Sequence, residues 1–427
     1  MIDSSWSRSR AVIGALVLTP ALLLAACSGS ESGSGSEPES PTSSTTIVEP
    51  TSNIALAPFA GDDLYATPDP IPAGDHGTLL RYEEVTGVDV PGGTAYRIMY
   101  LSESLQGEAI VVTGIASVPT ADAPDDGRPM ITIAHGTTGI ADECAPSKEP
   151  ERSEFTLVAG AVGDEYLVAA TDYEGLGTPG RHPYLVGESE GRSSIDALLA
   201  ARQLPGADSG DRFATTGYSQ GGHGALWASQ VAAEWAPDLE VVATFAGAPA
   251  SETDVVLTAS ARIPALAGFT YMIVAGFAAA YPEADPALFL TEKGVELLDA
   301  VDTGCASDTF AAVAGTPVNE LLRDDAGSVE PWKTLGKANN AGTEKTNDAP
   351  TLVVHSRADE TVPLVFSELL LGRMCNNDQV VERRLIDGGG HGAAAIPAYQ
   401  QALEWIGARF ASDPGEGATA VTDSCPT

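Results

Sequence analysis

Apolar and polar positions alternate along the chain in two distinct rhythms. Short apolar runs predict strands over residues 94–101, 109–118, 130–134, 166–171, 212–216, 241–245, 351–355 and 380–386. Several are unbroken apolar stretches, as expected of strands buried on both faces of a parallel sheet. Between them lie stretches of helical period at 191–202, 222–233 and 398–410. Strand alternating with helix predicts an α/β fold: a mostly parallel sheet with helices on both faces.

The alternation stops between residues 248 and 337, where the pattern is helix-like and no strand stands out. Residues 263–281 carry no charge, which meets the length test for a membrane span. Pro264, Gly268 and Gly276 interrupt that run, and it lies inside a globular pattern, so it reads as a buried helix of an inserted helical cap. The division expected for the folded part is a core over 53–247, a cap or lid over 248–337, and the rest of the core over 338–427.

The first residues follow another logic. Arg8 and Arg10 precede an apolar stretch, 11–26, that is short for a membrane span. It ends Leu24-Ala25-Ala26-Cys27, which resembles a bacterial lipoprotein signal cleaved before a cysteine that then takes a lipid. Residues 1–26 are accordingly expected to be a signal peptide and Cys27 a lipidated residue. Each buried CH₂ of an acyl chain contributes about 0.8 kcal/mol, so several chains anchor firmly. Residues 27–52 are rich in Ser, Gly, Glu, Pro and Thr and have too few apolar groups to order themselves. They form a tether, and the expected location is the outer face of a bacterial cell membrane.

Charge narrows the partners. Twenty-two Lys and Arg against 59 Asp and Glu give a net charge of −37 over 427 residues. Such a surface repels phosphate backbones, which argues against nucleic acid. It fits a well-solvated exported surface or adaptation to salt. With Cys27 taken by lipid, Cys144, Cys305, Cys375 and Cys425 remain, enough for two disulfides with three possible connectivities. None is spaced CxxC, so no metal site is expected, and no cofactor motif is present.

The strongest chemical signal is Gly217-Tyr218-Ser219-Gln220-Gly221-Gly222. It follows one predicted strand and opens a predicted helix, the setting of a G-x-S-x-G elbow. The turn is so tight that residues two either side of the serine must be small. A serine hydroxyl is a weak nucleophile and needs a base and a group to orient that base. Of the six histidines, only His355 and His391 follow Ser219 at any distance. His391, in Gly388-Gly389-Gly390-His391-Gly392, has a loop that could reach back over the serine. His223 lies on the elbow helix and should point along it. The acid expected after the strand at 351–355 is Asp359, with Glu360 and Asp387 as competitors. An oxyanion needs the N–H of Gln220 and a second donor from the loop after the third predicted strand, His135-Gly136-Thr137-Thr138-Gly139. Thr137 or Thr138 is favoured there, with His135 structural.

Taken together these residues resemble an α/β-hydrolase, and more closely the secretory lipases typified by fungal lipase A and their actinobacterial relatives. The matching pieces are His135–Gly139 with Cys144-Ala145-Pro146-Ser147, Thr171-Asp172-Tyr173-Glu174-Gly175-Leu176-Gly177, His182-Pro183-Tyr184, Gly217–Gly222, Asp359-Glu360-Thr361-Val362-Pro363 and Gly389-Gly390-His391. The resemblance covers roughly residues 55–410. It implies hydrolysis of small-molecule or lipid esters without a metal, and a helical cap over an acyl site. Where the fungal enzyme has an acidic residue in its oxyanion loop, this chain has Thr138. Within such a fold Cys144 lies just past the oxyanion loop and Cys305 in the cap above it, which favours pairing Cys144–Cys305 and Cys375–Cys425. Gly268 and Gly276 are expected to lie on the acyl wall. A serine peptidase or amidase would share these residues. A non-catalytic lipid-binding lipoprotein would have no physical need of Ser219, Asp359 and His391 together.

Overall fold

The computed structural model describes residues 57–260, 263–411 and 421–425. The expected signal peptide, Cys27 and the tether to residue 52 lie outside the described residues. Nine strands form one sheet: β1 (Leu79–Glu84), β2 (Gly93–Glu103), β3 (Ala109–Pro119), β4 (Arg128–Ala134), β5 (Leu167–Thr171), β6 (Ser209–Tyr218), β7 (Glu240–Gly247), β8 (Thr351–Ser356) and β9 (Val381–Ile386). Their order is β1-β2-β3-β5-β4-β6-β7-β8-β9. The first three form an antiparallel meander and β3 is antiparallel to β5. From β5 to β9 every neighbouring pair is parallel. β5 and β8 are buried along their whole length, as the unbroken apolar runs predict.

The helices are α1 (Glu154–Val162), α2 (Gly187–Ala201), α3 (Gln220–Trp235), α4 (Thr253–Ser260), α5 (Ala267–Ala280), α6 (Glu292–Glu296), α7 (Ala306–Val313), α8 (Val318–Leu321), α9 (Trp332–Ala338), α10 (Leu364–Asn376) and α11 (His391–Phe410). Leu198 of α2 and Ala228 of α3 pack with Phe213 on one side of the sheet. Phe155 of α1 and Tyr399 and Trp405 of α11 pack with Phe245 on the other. Between β7 and β8 the chain makes α4 to α9 around a separate apolar cluster that includes Tyr271, Phe277, Phe289 and Trp332. The uncharged run is the centre of that cluster. From Tyr271 to Ala275, α5 is fully buried, and among the described residues no helix is long and apolar enough to cross a membrane.

Four elements depart from the expected pattern. β1 was hidden because Leu-Leu-Arg-Tyr-Glu-Glu mixes charge into an edge strand that is only partly buried. The loop at 135–139, expected to hold an oxyanion, therefore follows the fourth strand, not the third. α1 and α10 are additional helices. α11 begins at residue 391, seven residues before the expected start. Gly390, Gly392 and Pro397 read as breaks, yet Gly390 is the N-cap and Pro397 is accommodated inside the helix.

Cys144 pairs with Cys305 and Cys375 with Cys425, each with Cα atoms 5.5 Å apart. The two close 161 and 50 residues of chain. By loop entropy alone that is worth about 5 and about 4 kcal/mol. The first fastens the segment after β4 to the cap of α7, where the Ala306 N–H also donates to the Thr138 carbonyl at 2.8 Å. The second holds the tail, residues 421–425, to α10. There the Ser424 N–H donates to the Val381 carbonyl (2.7 Å) and the Arg383 N–H to the Ser424 hydroxyl (2.9 Å).

Candidate active site

The chain passes from β4 to β5 on one side and returns to β6 on the other side of β4. This is a switch point, where loops leave adjacent parallel strands in opposite directions and open a crevice at their carboxyl ends. The loop after β4 and the turn after β6 meet there, with Ala134 in register with Gly217.

Ser219 sits on that turn with φ +61° and ψ −119°, a conformation that L-residues rarely adopt. Three backbone bonds hold it. Its N–H donates to the Gly247 carbonyl (2.8 Å), and its own carbonyl accepts from Ala250 (3.1 Å) and His223 (3.2 Å). The flanking glycines are sterically required. A Cβ on Gly217 would lie 2.0 Å from the Gly221 carbonyl oxygen, and one on Gly221 would lie 2.0 Å from that of Ala134.

β8 delivers Asp359 and the turn after β9 delivers His391. His391 Nδ1 lies 2.7 Å from Asp359 Oδ2, while Asp359 Oδ1 accepts the N–H groups of Thr361 (2.9 Å) and Val362 (2.8 Å). Burial by itself would raise the Asp359 carboxyl. Hydrogen bonds from His355 and His391, the attraction of the His391 ring and the Val362 N–H outweigh it and hold Asp359 well below the usual carboxylate range. Of the competing acids, Glu360 accepts the backbone N–H of His391 at 3.0 Å, and Asp387 pairs with Arg357 at the surface. His355 is buried and faces the Val362 carbonyl at 3.0 Å. His391 is at the first position of α11 rather than in a free loop. The Tyr218 hydroxyl donates to its carbonyl at 2.8 Å, which steadies that helix start over the elbow. No hydrogen bond joins Ser219 to His391, but both line one cavity.

Gln220 opens α3, so its N–H has no partner within the helix. Among the described residues the N–H groups of Gln220, Thr137 and Thr138 engage no other protein group. The loop bearing the two threonines is fixed around them. The Gly136 N–H donates to Glu154 (3.0 Å), and the Thr137 and Tyr184 hydroxyls lie 2.8 Å apart. His135 is buried against Tyr173, with ring nitrogens on backbone carbonyls, a structural placement. Glu154 carried no signal in the sequence and Tyr184 only its place in the His182-Pro183-Tyr184 match, because their contacts come only from the folded arrangement.

His182 is buried beside Gln220, whose side-chain amide donates to its Nε2 at 3.0 Å. Burial, then the nearby His135, pushes its pKa down to about 3. An unfolded histidine takes a proton near 6.5, so between about 3 and 6.5 the unfolded chain binds more protons and stability falls as pH falls. The expected loss from this residue at pH 5, relative to neutral, is about 2 kcal/mol. His182→Gln should shrink the difference between urea-unfolding free energies at pH 7 and pH 5 by that amount. An unchanged difference would show that His182 is not held neutral.

Two cavities meet at Ser219. One is an apolar slot of about 200 Å³, walled by Val255 and Val256 of α4, Ile263, Phe269 and Ile273 of the α5 region, and Phe366. The other is a wider, more open bowl of about 910 Å³ bordered by Thr137, Arg152, Phe310, His391 and Ile396. Gly268 and Gly276 are not on the slot wall. A Cβ on Gly268 would meet the Phe310 ring at 2.5 Å, and one on Gly276 the Tyr184 backbone at 2.3 Å. These glycines let α5 pack closely, and its larger side chains form the wall.

The family model described as secretory lipase matches residues 151–417, a span that contains Ser219, Asp359 and His391. Lipase A of Moesziomyces aphidis is 24% identical over 71% of this chain and 69% of its own length. The secreted triacylglycerol lipase LIP3 of Malassezia restricta is 26% identical over 71% and 68%. The crystal structure of Candida antarctica lipase A superposes with a TM-score of 0.71 at 21% identity, covering 86% of this chain and 88% of that one, a likeness of fold. With more than half its length matched, the chain belongs to the secretory lipase family and is a carboxylic ester hydrolase of the lipase type.

Proposed function

We propose that the enzyme cleaves acylglycerol-type esters through a covalent acyl-enzyme on Ser219. The observation that carries this reading is the strained elbow at Ser219 opening onto the same cavity as His391, whose far ring nitrogen is bonded to Asp359. His391 takes the Ser219 proton as the oxygen attacks the ester carbonyl. Asp359 fixes the ring so that Nε2 faces the serine. The N–H groups of Gln220 and of Thr137 or Thr138 hold the oxyanion, aided by the positive end of α3. His391 returns the proton to the leaving alcohol, and water, activated by the same base, releases the acid. The acyl chain occupies the apolar slot and the alcohol leaves through the bowl. In this reading 248–337 is a lid and acyl wall inserted in a core of 53–247 and 338–427. A lipid on Cys27 and the tether at 27–52 hold the domain outside a bacterial cell membrane.

A panel of esters from acetyl to palmitoyl, run on wild type and Ile273→Trp, tests the slot. Filling it should lower the decanoyl-to-acetyl ratio of kcat/KM at least tenfold in a variant that folds. A ratio within about twofold of wild type, equivalent to about 0.4 kcal/mol, would exclude this wall as the acyl site. Trapping of a fluorophosphonate on Ser219, read by peptide mass spectrometry, tests the covalent step.

A further inference from the structure

We propose that Glu190 is a positioning residue for the oxyanion-binding groups, acting through Gln220 and Leu185. The inference rests on Ser219 being the nucleophile. Glu190 lies one turn into α2 and is fully buried, 0% exposed. α2 comes close to the elbow helix because Gly187 and Gly191 leave room. A Cβ on Gly187 would lie 2.0 Å from the Trp227 ring, and one on Gly191 2.9 Å from the Trp227 backbone. A carboxylate in such a place is unfavourable unless donors satisfy it.

The donors are specific. Glu190 Oε1 accepts the side-chain amide of Gln220 at 2.9 Å and the N–H of Leu185 at 3.2 Å. Oε2 faces His223 Nδ1 at 2.7 Å. Two of these partners, Gln220 and Leu185, bear directly on the reacting centre. Gln220 follows the nucleophile, and its own N–H is one of the oxyanion donors. Both hydrogens of its side-chain amide are taken, one by Glu190 and one by His182. Leu185 lines the apolar slot beside Tyr184, whose hydroxyl meets that of Thr137, a candidate second oxyanion residue. His223 lies one turn further along α3, and its Nε2 reaches the Asn339 carbonyl at 2.7 Å, just past α9. One carboxylate thus ties the first residue of α3, the Tyr184–Leu185 loop and the helical region to a common point. Donors aimed at an oxyanion accelerate reaction only when held at the right place before the charge develops. A fully satisfied buried anion is a rigid means of holding them.

The test uses the whole protein and three variants: Glu190→Gln, Gln220→Met and the double. Glu188→Gln, which alters a more exposed carboxylate paired with Arg192 on the same turn, is the control. Competent active sites are counted by end-point labelling with a fluorophosphonate, so misfolded molecules drop out of the rate. Per labelled site, Glu190→Gln should lose 10- to 100-fold in kcat with KM changed less than threefold. Affinity for a trifluoromethyl ketone, which forms an oxyanion in the site, should fall in the same proportion. Gln220→Met should lose a similar amount, and the double no more than the worse single. Glu188→Gln should match wild type. A kcat per labelled site within twofold of wild type for Glu190→Gln overturns the proposal, whatever happens to its melting temperature. If Glu190→Gln yields no folded protein, undiminished kcat in Gln220→Met overturns it instead. Ser219→Ala, run alongside, should neither label nor turn over. Turnover there would defeat the nucleophile assignment, a failure distinct from that of Glu190.

Discussion

Ser219→Ala is expected to lower ester hydrolysis about 10⁴–10⁶-fold while leaving stability within about 0.5 kcal/mol of wild type. The two expectations have separate causes. The hydroxyl makes no hydrogen bond to protein among the described residues, so its removal orphans no partner. Alanine keeps the Cβ that the turn already accommodates at φ +61°. On the proposed mechanism, however, loss of the oxygen leaves His391 no alcohol to deprotonate, and no acyl-enzyme forms. What remains is the rate supplied by binding and the oxyanion donors alone. Asp359→Ala and His391→Ala should be comparably damaged. The double variants should be little worse than the singles, because the three groups act as one unit. Initial rates on a medium-chain chromogenic ester, normalised to folded protein, decide the matter. One tenth of wild-type activity in Ser219→Ala would sink the assignment.

The second large effect lies in the backbone. Gly221→Ala adds a single methyl group, yet that group would sit 2.0 Å from the Ala134 carbonyl oxygen. Ala134 cannot yield, because β4 is held in register between β5 and β6. Relief must come from displacing the first turn of α3, which carries Gln220. The expected cost is about 3 kcal/mol or more, with activity lost in whatever still folds. Gly372→Ala, in α10, is the contrast. A Cβ there meets nothing within 4 Å, so the change should stabilise by about 0.5–1 kcal/mol through helix propensity. Urea midpoints of the two variants should move in opposite directions. A Gly221→Ala protein as stable as wild type would show that the elbow is looser than its geometry implies.

Much of this arrangement was legible before folding because it is written locally. A buried parallel strand is an apolar run, and an elbow is a strand, a tight glycine turn and a helix in succession. Ser219 and the region of its partners follow from that grammar plus chain order. The structure brings His391 and Asp359 to 2.7 Å and sets both threonines of the loop after β4 beside the elbow cavity. Other features needed the third dimension. β1 is partly exposed and charged, so its pattern is that of a loop. The start of α11 hides among glycines and a proline, although its N-cap glycine is what lets His391 begin a helix. Glu190 looks like any surface carboxylate on a small-residue helix. Only the approach of α2 to α3 buries it and brings it Gln220 and His223, and the Leu185 N–H just ahead of α2 completes the set. Glu154 is likewise eighteen residues from the N–H of Gly136 that it fixes.

The tail bound along β9 has a consequence for how the molecule behaves among its own copies. β9 ends the sheet, and an uncovered terminal strand offers a row of open N–H and C=O groups to any extended chain that drifts past. Here part of that row is already spoken for. Ser424 engages the Val381 carbonyl and the Arg383 N–H, and the disulfide from Cys425 to Cys375 keeps it from drifting away. Arg383 and Arg384, only partly buried, add charge along the same strand, which a foreign strand would have to desolvate. The sheet is thereby protected against growing by strand addition at that end, so that high local concentration does not turn neighbouring copies into templates for aggregation.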